Sequence, residues 1–579
     1  MPSCPKNYPF YNWVPKPLGI LILLLLFIPI LTASGVYTVN SGEMLSGLGI
    51  QSEHIQFVGF LTSVGMAAFS PFFYELVCIR REKMMCIVGF SLLYILSYVC
   101  AKTDSIYLLA VCSVVMGFLR MVLMMVNLFT LIKYAFKMEA TRNITPGNEP
   151  VDGEGWDKLD REKSTSMPTI YLFFMILGQI GTSLTAWLAY EYEWQYVYYF
   201  MMGALLLSIL VVFITMPYHK YVGKRFPINL RKFGSVVIFC VMCSAAIYVL
   251  VYGKVLDWYD SPSICWATAT TVVFAILFVY MERNHNSPYF LMDVFKLRSI
   301  RMGILLFLLL MIFNSSAMFV SVFAGVGMKI DNWQNASLNN WSIAGYFIGC
   351  IIAIAMGSKG VHLKYLFSMG FVLIGLSSLF MYFEVQTDGL YERMKYPVII
   401  RSAGMMLLYS LTAVHANQRM PYKYLSTWIC IMLTVRMVLG PGAGTAIYTN
   451  VMQHRQQHYV TRFAHDMDQL NTEVAASYNQ TVQGMMYQGK SEKEAHNMAA
   501  LSTKGRVQVQ ATLAAVKEMS GWDEKYPRKV DILRLYGMCR SHAGNSVEKE
   551  EAGFADIKYL HSFIYLLYTS RWSVFHFLI

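Results

Sequence analysis

Few side chains in this sequence can do chemistry, and they stand out because of where they sit. Arg120 in Gly117-Phe118-Leu119-Arg120, Arg436 in Leu433-Thr434-Val435-Arg436, Arg401 and Glu75 all fall inside long apolar runs. A charge surrounded by hydrocarbon-length apolar sequence is costly, so it lines a pathway, pairs with an opposite group or caps exposed carbonyls. Arg401 lies near a run's end, where its long side chain can snorkel to the surface. Glu75 is one helical turn from Arg80 and reads as a rim carboxylate beside local arginines. Arg120 and Arg436 lie too deep for escape and each needs a partner: a carbonyl, a water-filled cavity or an anionic group. Asn127 and Gln179 join Arg120, Arg436 and Glu75 as candidate substrate or coupling residues.

The elements that must position these groups follow from composition. The 579 residues are 56% apolar and only 14% charged, against roughly 25% charged in soluble domains, which excludes a soluble enzyme. Apolar runs of about 20 residues, the length that spans a bilayer as a helix, recur near 17–39, 55–77, 84–100, 106–130, 169–190, 196–216, 233–252, 263–281, 302–323, 338–357, 365–383, 396–417 and 425–449. The expected class is therefore an all-α polytopic membrane protein with thirteen spans. The first run is read as an uncleaved span.

Net charge of +12 is spread over short loops, so it marks topology and not a nucleic-acid surface. Alternate loops hold 24 basic residues on one side and 5 on the other, which places the N-terminus in the cytoplasm. Most cysteines sit inside apolar runs without metal spacing, and no cofactor or metal is expected. His454, His458 and His465 share a helix face but lack a completing ligand. Residues 453–520 are polar with almost no helix breakers, and by parity lie outside the cytoplasm. Asp523 onward is hydrophilic. Tyr559 to Ile579 turns apolar again but carries Arg571 in its middle, so it would make a poor fourteenth span, and the tail is expected to stay outside or along the interface.

Gly440-Pro441-Gly442-Ala443-Gly444-Thr445 permits close helix approach and a local break. It follows Arg436. Three further stretches have family character: Glu193-Trp194-Gln195-Tyr196-Val197-Tyr198-Tyr199-Phe200, then Gly253-Lys254-Val255-Leu256-Asp257-Trp258 with Ser261-Pro262, then Glu282 through Pro288 to Val294-Phe295. With the polar insertion after span thirteen, the chain to about Trp522 resembles the fourteen-span drug:proton antiporters of the major facilitator superfamily, the EmrB/QacA type. Arg120 matches that family's span-four arginine, although Met124 stands for its glycine. The loop motif after span two survives as Gly65, Leu76, Arg80 and Arg81. The span-five motif keeps Gly178, Gly181 and Trp187, with Thr182 for its proline. Gly35 replaces the first-span aspartate, so coupling through that group is not expected.

The resemblance implies a major facilitator fold: a six-helix bundle over 1–216, central insertion helices over 217–301, the second bundle's helices over 302–450, an extracytoplasmic helical segment over 451–522 and an atypical tail over 523–579. It implies an ion-coupled secondary transporter of the bacterial inner membrane exporting amphipathic organic compounds, as in multidrug efflux, with a proton or other coupling ion. Gly65, Arg80, Arg81, Gly178, Gly181, Gly440 and Gly444 would serve conformational change. A periplasmic membrane-fusion adaptor and an outer-membrane channel are the implied partners. An organic-anion carrier of the same fold is the alternative favoured by deep arginines. A membrane enzyme or sensor would need clustered His, Asp or Cys in the membrane, where only His415 is seen, and a primary pump would need a nucleotide motif.

Overall fold

The computed structural model describes residues 9–37, 41–72, 81–136, 153–218, 230–284, 288–359, 361–386, 389–418, 420–467 and 472–529. Glu75, Leu76, Arg80 and the terminal apolar segment Tyr559 to Ile579 lie outside them. The described residues are all-α, and twelve helices are long and apolar enough to cross a membrane. The first expected span is a shorter apolar helix, α1 (Lys16–Thr32). It ends at Thr32, where Ala33 turns out of the helical conformation (φ −59°, ψ 119°).

After α1 come the short α2 (Ser41–Leu48), then α3 (Ser52–Phe69), α4 (Glu82–Lys102), α5 (Ile106–Phe136), α6 (Gly153–Glu191) and α7 (Trp194–Thr215). These form one packed group in which α3 lies against α5, α4 against α5 and α7, and α1 against α5, α6 and α7. A hairpin of α8 (Leu230–Tyr252) and α9 (Pro262–Asn284) follows, with α8 packed on α3. The second group comprises α10 (Arg298–Asn314), α11 (Ala317–Val322), α12 (Asn332–Asn340), α13 (Ser342–Ser358), α14 (Leu363–Glu384), α15 (Tyr391–Ala416), α16 (Leu425–Leu433) and α17 (Gly440–Asp466). Two polar helices close the described chain, α18 (Thr472–Tyr487) and α19 (Glu492–Lys529).

Small residues set the tightest crossings, because lipid offers no hydrophobic drive and helices gain by close approach. A Cβ on Gly65 of α3 would stand 2.0 Å from the Val114 carbonyl oxygen, and one on Gly117 of α5 would stand 1.9 Å from that of Thr62. The second group repeats this contact between α13 and α15: a Cβ on Gly345 would be 2.3 Å from the Ile399 oxygen, and one on Gly349 would be 2.4 Å from that of Ala403.

The family-like stretches have structural reasons. Gly253 to Trp258 makes the turn between α8 and α9, with Asp257 and Trp258 both at positive φ. The Trp258 indole donates to Asn450 Oδ1 on α17 at 3.3 Å, tying the hairpin to the second group. Glu282, just outside the expected span 263–281, is buried within α9, where its carboxylate accepts the Phe290 amide at 2.8 Å. Tyr289 then donates to the Ala68 carbonyl of α3, and the Leu291 amide to Thr427 Oγ1 of α16 at 3.2 Å. This loop therefore bridges both groups. Beyond it Asp293 meets Lys296 at 2.7 Å in an exposed pair, whose hydrogen bond and charge lower the carboxyl's pKa and raise the ammonium's.

The polar segment differs from expectation at its end. The helix α19 continues past Trp522 to Lys529, and between Val507 and Ser520 it rests on α14 and α17. Leu513, Val516 and Met519 enter a cluster with Phe319, Phe323, Met381 and Val398. Gln456 donates to Thr512 at 2.8 Å, and Arg455 pairs with Glu518 at 3.5 Å.

Candidate functional site

Helix termini leave carbonyls without intrahelical acceptor roles, and in a membrane something must satisfy them. Cationic side chains do so here, where the helix dipole also favours positive charge. Arg120 of α5 donates from Nε to the Ile30 oxygen at 3.0 Å and from Nη2 to the Leu31 oxygen, both in the last turn of α1. Seven residues on, and thus on the same face of α5, the buried Asn127 donates to the Leu23 oxygen at 2.9 Å. Arg401 of α15 donates to the Asn314 carbonyl, the end of α10, at 2.9 Å. Lys83 of α4 reaches the Phe213 and Met216 carbonyls at 2.9 and 2.7 Å, at the end of α7. Lys163 of α6 donates to the Asn417 carbonyl, just past the end of α15, at 3.0 Å, and pairs with Asp160 at 3.5 Å.

Arg436 differs. It sits half-buried in the π-helical turn Thr434–Leu439 that joins α16 to α17. Pro441 explains that turn: a proline ring collides with the carbonyl four residues back in a regular α-helix and lacks an amide donor, and the wider π turn relieves both. Gly440 allows the bulge to approach α10, since a Cβ there would meet Met311 Cβ at 2.5 Å; one on Gly444 would meet Ser315 Oγ at 2.3 Å. The Arg436 guanidinium lies 4.1 Å from the centroid of the Tyr409 ring and 5.9 Å from that of Tyr171. The two rings pack edge-on at 4.9 Å, and Phe307 packs on Tyr409 at 5.6 Å. Among the described residues Arg436 has no hydrogen-bond acceptor and no carboxylate within ion-pair reach. The buried Tyr409 hydroxyl also has no partner there.

Tyr171 belongs to α6, the helix along which the first group meets the second. Lys163 touches Asn417 near one end. About 12 Å along, at a rise of 1.5 Å per residue, Tyr171 meets Tyr409 and Arg436. A further 12 Å or so along, Gln179 Nε2 donates to Asn340 Oδ1 at 3.1 Å, and Ser183 bonds the same oxygen. A π turn between two polar contacts, with a cation facing aromatic rings, is a geometry that can bind a ligand between the groups and rearrange around it.

The structure thus sets three contacts in succession along α6, Lys163 with Asn417, Arg436 with the unforeseen Tyr171 and Tyr409, and Gln179 with the unforeseen Asn340, so α6 meets Arg436 and carries Gln179, but not at one site. Arg120 and Asn127 instead join α5 to α1. Arg81 is exposed at the start of α4. Gly181 lies against Thr32, where a Cβ would come within 2.3 Å of Cγ2, whereas nothing lies within 4 Å of one placed on Gly178. Tyr171 and Tyr409 carried no sequence signal, being two of 38 tyrosines.

No family model matches the chain, and no curated protein matches it either. Among solved structures, a point mutant of the nucleoside transporter NupG superposes with a TM-score of 0.46 at 11% identity, covering 86% of this chain and 99% of that one. The human organic anion transporter MFSD10 (TETRAN) gives 0.43 at 12% identity over 76% of this chain and 94% of its own. A structure from work on proton dependent oligopeptide transporters gives 0.46 at 12% identity over 89% and 100%. TM-scores below 0.5 do not fix a fold, and the chain's own helices carry the assignment: an all-α, multi-pass membrane protein.

Proposed function

We propose that this chain is a secondary active transporter of the major facilitator type, moving amphipathic organic compounds between its two helix groups by alternating access. The observation that carries this reading is the seam along α6, where contacts at Lys163–Asn417, Tyr171–Tyr409 and Gln179–Asn340 succeed one another. Such a seam has two ends that can open in turn around a central site. The paired crossings, Gly65 and Gly117 in one group and Gly345 and Gly349 in the other, support two structurally repeated halves. So do Arg120 capping α1 and Arg401 capping α10, the first helices of each group. Repeats of this kind are the usual architecture of alternating-access carriers.

In this reading the halves are 1–216 and 302–450, with 217–301 inserted between them. The sequence resemblance supports efflux, coupling to a proton or another ion, and placement in a bacterial inner membrane with the N-terminus cytoplasmic. It also supports an adaptor and outer-membrane channel as partners of the segment after α17. Gln179 would act at one gate and the glycine crossings as pivots. Substrate-dependent proton flux in proteoliposomes tests the reading: added amphipathic compound should release or consume protons across the membrane, and compound movement without protein dependence would contradict it.

A further inference from the structure

Among the cations of the spans, Arg120 and Arg401 are engaged by carbonyls at helix ends. Among the described residues, Arg436 has no hydrogen-bond acceptor and faces the rings of Tyr409 and Tyr171. Aromatic faces attract a cation but accept little from its N–H donors. A guanidinium presents five donors in a planar fork that fits a carboxylate or sulfonate through two parallel bonds. Left unmet in a low-dielectric site, those donors are costly, and in the membrane an unpaired charge marks a ligand path. The surrounding rings, Tyr171, Tyr409 and Phe307, supply a flat apolar wall, and the unpartnered Tyr409 hydroxyl supplies one more polar contact.

We infer that Arg436 is the substrate-binding cation of this protein, and that its substrates are organic anions with a flat aromatic body, held by a charge-assisted pair at the guanidinium and by stacking against the tyrosines. This rests on the transporter reading and names its substrate class. An inorganic anion would satisfy the charge but leave the aromatic wall unused. A cationic drug would meet Arg436 as a like charge.

Two xanthene dyes of similar size test this: fluorescein, which carries a carboxylate, and rhodamine 6G, a cation. Anisotropy titrations of the purified full chain in detergent should show binding of fluorescein and not of rhodamine 6G. Arg436→Gln should weaken fluorescein binding at least tenfold while thermal unfolding stays near wild type. Arg436→Lys should recover only part, since a point charge lacks the fork. Should Arg436→Gln fail to fold, Tyr409→Leu provides the second variant, with binding lost through the wall. Benzoate should displace fluorescein, whereas chloride at equal ionic strength should not; equal displacement by chloride would overturn the organic class. Rhodamine 6G binding that survives Arg436→Gln, with flux intact, would overturn this inference and leave the transporter standing. Absence of binding and of flux for both dyes would overturn both.

Discussion

Arg120 of α5 donates from Nε to the carbonyl oxygen of Ile30 in the last turn of α1, 3.0 Å away. A second bond from the same guanidinium reaches Leu31. One side chain thus serves two carbonyls that no water in the hydrocarbon could serve. Arg120→Ala is expected to destabilise the protein by about 1–3 kcal/mol for each carbonyl left unpaired, seen as a lower unfolding temperature in detergent. Arg120→Lys should restore less than half, because an ammonium cannot match the planar two-point geometry. Unchanged stability in Arg120→Ala would remove the capping role.

Gly65 and Gly178 should part company on substitution, although both stand in family-like motifs. Gly65→Leu drives a side chain into the Val114 carbonyl and should cost at least about 1–3 kcal/mol through overpacking, with loss of folded yield on size-exclusion. Gly178→Ala meets open space and should be neutral or stabilising by up to about 1 kcal/mol, as alanine favours the helix. A Gly65→Leu chain as stable and as well folded as Gly178→Ala would show that the α3–α5 crossing is loose.

Lys163 ties the first group to the end of α15. Lys163→Met should weaken this closure, since it removes both the Asn417 carbonyl's donor and the partner of Asp160. A single cysteine replacing Ser164 should then react faster with a membrane-impermeant maleimide in inside-out vesicles. An unchanged labelling rate would mean that the seam does not depend on this contact.

The α19 stripe gives a truncation test. A stop after Arg506 removes Leu513, Val516 and Met519 from their cluster and should lower the unfolding temperature and raise aggregation. A stop after Lys529 should leave both unchanged. If the two chains behave alike, the packing of α19 on α14 and α17 contributes nothing.

Helix order was legible because apolar length is a strong signal: among the described residues each of the twelve long apolar helices overlaps an expected span, while the first of the thirteen expected spans is met only by the shorter apolar helix α1. The packing of α19 was not, because its buried residues Leu513, Val516 and Met519 alternate with the small or hydroxyl-bearing Ala511, Thr512, Ala515 and Ser520. Such a face packs closely between helices, but the polar residues interleaved with it hold the average over the stretch below that of an apolar span. Deep arginines were legible as groups needing partners, but sequence cannot distinguish a carbonyl from an aromatic ring. Arg120 faces the one and Arg436 the other. Glu282 was legible only as the start of a family-like stretch, because its acceptor role toward Phe290 depends on a turn and not on spacing within a span.

Alternating access along the α6 seam is most directly tested by reversible cross-linking during transport. In a cysteine-free background, Lys163→Cys with Asn417→Cys is joined by a short reducible bifunctional thiol reagent, and dye counterflow is measured in proteoliposomes. Cross-linking should abolish counterflow, and cleavage of the linker should restore it. Full counterflow with the two groups held together at this end would contradict the account.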